Sequence, residues 1–130
     1  MNRAKLLRRV AVAILAFLCT STFYMPSVQA ETETWQIRSS YPYKIQLEFY
    51  SMDRRGVAWP GGGRAFPLDD SQSKPFTLNC QSGERICYGA WVTGVGRKYW
   101  GVGANNRHGC TDCCWTCGRK GKPRAINLTP

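Results

Sequence analysis

Four cysteines fall within eight residues, Cys110, Cys113, Cys114 and Cys117 in the run CTDCCWTC, and two more stand upstream at Cys80 and Cys87. Such a density leaves two broad solutions, covalent cross-links or a metal centre, and the compartment decides between them. The other end of the chain bears on that. Met1–Arg9 (MNRAKLLRR) carries four cationic side chains and no acid, Val10–Leu18 is an apolar run, and the following stretch ends with Val28 and Ala30 at the −3 and −1 positions of a cut. This order of basic, apolar and small residues predicts a secretory signal peptide over residues 1–30. A membrane anchor needs about 18 or more apolar residues, more than this run supplies. The Arg8-Arg9 pair lacks the polar flank of twin-arginine export, and Leu18 before Cys19 is too large for bacterial lipidation.

Cys19 leaves with the signal, so Cys80, Cys87, Cys110, Cys113, Cys114 and Cys117 remain as an even set in a secreted or periplasmic chain. That reads as a disulfide framework. A domain this small buries a modest share of its surface, so cross-links matter. Adjacent residues strain disulfide geometry, which disfavours a Cys113–Cys114 bond. Cys80 and Cys87 flank a turn and can bridge their own hairpin or reach the C-terminal cluster. Two alternatives weigh against structural cross-links: a Cys₄ zinc site, or a redox pair at Cys110/Cys113 or Cys114/Cys117. A redox pair normally opens a helix, and no helical periodicity follows either. No metal, cofactor or catalytic residue is expected.

Hydrophobic alternation places the strands. In Lys44–Tyr50 (KIQLEFY), Ile45, Leu47 and Phe49 point one way and the polar partners the other. Ser51–Gly63 is a loop broken by Pro60 and three glycines. Arg64–Leu68, Phe76–Cys80, Ile86–Thr93 and Tyr99–Val102 read as further strands joined by turns, an antiparallel meander. Trp91 and Trp100 belong to its core. Past Gly103 periodicity stops. The prediction is an all-β fold, a small antiparallel sheet or sandwich with an irregular, disulfide-cross-linked C-terminal segment. Residues 31–43 form an N-terminal arm, 44–118 the disulfide-rich β domain and 119–130 a basic C-terminal tail.

Fourteen of the 18 Lys and Arg lie beyond Ala30 with all eight acids, a net charge of +6 for the exported part. This favours anionic surfaces such as polysaccharide or lipid headgroups, or an acidic protein partner. Nucleic acid ranks last because of export. The best contacts are Arg54, Arg55 and Arg64 around Trp59 and a Pro-Gly-Gly-Gly run, where cations beside an aromatic platform suit sugars and acidic groups. The competing reading has Trp59 capping the core beneath solvated arginines. Arg119, Lys120, Lys122 and Arg124 can touch anionic polymer with salt-sensitive affinity.

Two other classes stay in play. A small hydrolase would use Asp69, Asp70, Glu84 or His108, and requires a pocket joining at least two of them. An inhibitor or toxin would present Gly56–Arg64 as a rigid loop. The segments ICYGAW (Ile86–Trp91), YWGVG (Tyr99–Gly103) and CxxCCxxC (Cys110–Cys117), with Phe49–Ser51, Arg54-Arg55 and Trp59–Gly62, resemble short bacterial exported cysteine-rich proteins. The resemblance implies an exported cross-linked domain and brings no activity, ligand or catalytic residue with it.

Overall fold

The computed structural model describes residues 22–95 and 97–130. The expected basic and apolar parts of the signal therefore lie outside the described residues. Met25 and its neighbours up to Gln29 have no regular structure.

Among the described residues nine strands follow: β1 (Ala30–Ser39), β2 (Ile45–Ser51), β3 (Ala58–Trp59), β4 (Phe66–Leu68), β5 (Lys74–Gln81), β6 (Arg85–Val92), β7 (Tyr99–Gly101), β8 (Cys114–Thr116) and β9 (Ile126–Leu128). They form a three-stranded sheet in the order β5-β1-β9 and a six-stranded sheet running β3-β2-β6-β7, in which β4 also pairs with β2 and β8 with β6. All pairings are antiparallel except β1 with β9. The fold is all-β, as the alternation requires.

Ile45, Leu47 and Phe49 are fully buried, as their period-two spacing demands. They meet Trp35, Ile37, Leu78 and Leu128 of the three-stranded sheet in one core. Phe49 lies 5.4 Å from Trp35 and 5.8 Å from Phe76, ring centre to ring centre. Offset and edge-on aromatic pairs at this range contribute about 0.5–1.5 kcal/mol each beyond their burial.

Three expectations need correction. The arm over 31–43 is largely β1, the middle strand of its sheet. Trp35 and Ile37 point inward with Glu33 before them, and an acid at an inward position hides the alternation. The tail over 119–130 contains β9, and Leu128 is fully buried. The meander breaks between β5 and β6: β5 pairs with β1 and β6 with β2, so Gln81–Arg85 is a passage between sheets and not a hairpin turn. Leu78 and Ile86 therefore share the core between the sheets instead of lying side by side. The β6–β7 hairpin forms as expected, with Ala90 opposite Trp100.

Three disulfides close the C-terminal region: Cys80–Cys117, Cys87–Cys114 and Cys110–Cys113. Cys80 and Cys87 both reach the cluster. Cys80–Cys117 ties β5 of one sheet to the residue just past β8 of the other, across a Cα–Cα distance of 6.3 Å. Cys87 and Cys114 are direct cross-strand partners. Loop-closure entropy assigns about 4 kcal/mol to each of these two and about 2 kcal/mol to the short Cys110–Cys113 loop. Among the described residues, no helix is long and apolar enough to cross a membrane.

Candidate binding site

The structure brings part of the Arg/Trp loop together and gives it a structural task. The Arg54 guanidinium carbon sits 5.8 Å from the Trp59 ring centre. Its Nε and Nη2 donate to Glu84 at 2.6 and 2.9 Å. Glu84 also accepts the Gln81 N–H at 2.8 Å. Burial pushes the Glu84 carboxyl up, but the hydrogen bonds from Arg54, Ser51 and the Gln81 N–H, with the Arg54 charge, outweigh it and hold the group below its ordinary range. The pair bolts the 51–59 loop onto the passage between the sheets. Trp59 packs on the core, whereas Arg55 and Arg64 are exposed.

The candidate acids and the histidine fall into three separate contacts, with Asp69 and Asp70 sharing one partner. Asp69 and Asp70 face Lys74, and the Lys74 ammonium and the Gln72 N–H hold the Asp70 carboxyl below its ordinary range. Glu84 is committed to Arg54. His108 stacks on Tyr99 with ring centres 3.8 Å apart. The Gly56–Arg64 loop is tied down by β3 and by a Gly61–Arg64 bridge, and Gly61, Gly62 and Gly63 all take positive φ, which glycine adopts without strain.

A more developed site lies where the tail crosses β1 and β8. One depression of about 230 Å³ is lined by Trp35, Asp112, Cys113, Cys114, Trp115, Arg119, Pro123, Arg124 and Ile126. A second, of about 590 Å³, adjoins it through Arg119 and Pro123 and is floored by Thr32, Glu33, Thr34 and Gln36 of β1, with Lys122 on its wall. Pro123 is buried and pins the tail, so the basic side chains on either side stand over the groove. The Arg119 guanidinium lies 5.0 Å from the Trp115 ring centre. Arg124 donates to Asp112 at 2.6 Å.

The buried indole N–H of Trp35 has no hydrogen-bond partner, and that of Trp115 makes only a weak contact with the Glu33 carboxyl. Such a group costs about 1–3 kcal/mol when left unpaired. Both tryptophans line the first depression. Glu33 lies at the adjoining end of the groove and is 8% exposed. Burial raises its carboxyl pKa and the Glu31 charge adds to this, while the Thr34 N–H and a weak influence of the Trp115 N–H work the other way. An aromatic wall and a cationic rim are what an acidic or hydroxyl-rich ligand needs.

No family model, curated protein or solved structure matches this chain.

Sequence reasoning singles out the cations of this groove, but not their assembly with Trp115. Trp35 and Glu33 were hidden in the segment read as an arm. The one available signal was the basic run GRKGKPR directly after the Trp115 knot.

Proposed function

We propose that the chain is an exported binding domain for anionic polysaccharide; the bacterial cysteine-rich resemblance implies the export and the cross-links, not the ligand. Residues 1–30 act as the signal, and the three disulfides suit an oxidising compartment. The groove between β1, β8 and the 118–125 segment holds the ligand. The observation that carries this reading is the groove lined by Trp115, with the Arg119 guanidinium 5.0 Å from its ring centre and Lys122 on the adjoining wall. Trp115 supplies a stacking face for a sugar ring. Arg119 and Lys122 supply charge to carboxylate or sulfate groups. Arg54 acts as a scaffold residue in this reading, and Arg55 and Arg64 add long-range attraction.

The test is titration of the purified protein with a sulfated and a carboxylated oligosaccharide, read by tryptophan fluorescence at low and high salt. Binding that weakens with salt and falls at least about tenfold in Arg119→Ala/Lys122→Ala, the loss expected of two charge-assisted contacts, supports the groove. Equal binding by this variant and by the wild type would refute it.

A further inference from the structure

Two of the three disulfides lie against each other. The Cys114 sulfur is 3.8 Å from that of Cys110 and 3.8 Å from that of Cys113. The sulfurs of Cys87, Cys113 and Cys114 all fall within 4.8 Å of one another. The two bonds differ in access. Cys110 is half-buried, and a depression of about 300 Å³ lined by Cys110, Asp112, Cys113 and Arg124 opens beside its bond. Cys87 is fully buried, in a cluster with Tyr50 and Val102. The Cys80–Cys117 bond belongs instead to the main core.

We propose that the Cys110–Cys113 and Cys87–Cys114 disulfides form an internal thiol–disulfide relay, in which Cys110–Cys113 receives reducing equivalents from an external dithiol and passes them to Cys87. The outer bond closes the shortest loop, only three residues along the chain, so least chain entropy holds it. In the first step a dithiol thiolate attacks the more accessible Cys110 sulfur and Cys113 leaves as thiolate. The second thiol of the reductant then closes its own disulfide and releases Cys110 as thiolate. In the second step the Cys110 thiolate attacks the Cys114 sulfur. The Cys110–Cys114 bond forms, the Cys114–Cys87 bond breaks, and the electron pair leaves on the Cys87 sulfur, which takes up a proton. The dithiol ends oxidised, and the protein ends with one new disulfide and thiols at Cys87 and Cys113. Cys110 is the attacking group because a bond between the adjacent Cys113 and Cys114 would be strained. The apolar pocket around Cys87 accommodates a neutral thiol. The exchange removes the covalent tie between β6 and β8 and leaves Cys80–Cys117 in place.

The oxidised protein is treated with one equivalent of dithiothreitol, quenched in acid, alkylated and mapped by mass spectrometry. Cleavage before Asp112 separates Cys110 from Cys113 and Cys114. The expected product carries a Cys110–Cys114 linkage with label on Cys87 and Cys113. In the Cys110→Ser/Cys113→Ser variant, Cys87 stays unlabelled under the same conditions. Label confined to Cys110 and Cys113 in the wild type, with Cys87–Cys114 intact, would overturn the relay. Equal labelling of Cys87 in the variant would overturn it too. The wild-type map decides alone should the variant fail to fold.

Discussion

Glu84→Gln removes the negative charge from the best-buried ion pair in the molecule and keeps the side-chain volume. The Glu84 side chain is 2% exposed and that of Arg54 is 33% exposed. Breaking a fully buried pair from one side costs about 3–5 kcal/mol. Arg54 is one-third exposed and regains part of its hydration, and glutamine can still accept the Gln81 N–H. The expected loss is therefore about 2 kcal/mol at neutral pH, or roughly 10 °C in Tm for a domain of this size. The pH dependence follows from the depressed carboxyl. A group with a folded pKa below its unfolded one adds stability above the unfolded value, and loses it as pH falls through the folded value. The gap between wild type and variant should thus be full at neutral pH and close below the ordinary carboxylate range of about 4.3. Urea unfolding with intact disulfides, followed by tryptophan fluorescence across this range, measures it. A gap under about 0.5 kcal/mol at neutral pH, the size of an exposed pair, or one that persists unchanged in acid, would refute the assignment of Arg54–Glu84 as a structural bolt.

Leu128→Ala should cost about 2–5 kcal/mol in the same unfolding assay, because a fully buried leucine is lost from β9. A cost near zero would return the tail to a disordered segment. Gly89→Ala should destabilise by about 1–3 kcal/mol, since the added methyl group would meet the Gly103 carbonyl and the Tyr50 ring. The Tyr50 hydroxyl accepts the Asn105 N–H at 2.9 Å, and burial, reinforced by the Glu48 charge, pushes its pKa up to about 12. Its contribution to stability is complete below the unfolded value near 10 and fades as pH rises toward 12. Burial also raises the Tyr88 hydroxyl, so tyrosinate absorbance should show a late phase to which both contribute, and Tyr50→Phe should shrink it.

Much of the architecture was written in local pattern. Ile45, Leu47 and Phe49 alternate with polar neighbours, and a half-buried strand satisfies such a sequence. The even set of cysteines beyond an expected export signal points to cross-links because redox chemistry depends on compartment more than on fold. What local pattern could not convey was the partner of each strand. Period-two alternation says which face of β5 is apolar, and it is equally content with a hairpin to β6 or a place beside β1. Only the closing of the core between two sheets selects the second. The disulfide pairing followed from the same event, since Cys80 and Cys87 part to different sheets and each meets the cysteine brought near it. The groove was further out of reach. Glu33 and Trp35 of β1 lie far along the chain from Trp115 of β8 and Arg119 just beyond it, and a site built from such pieces exists only once long-range packing has set the strands against one another.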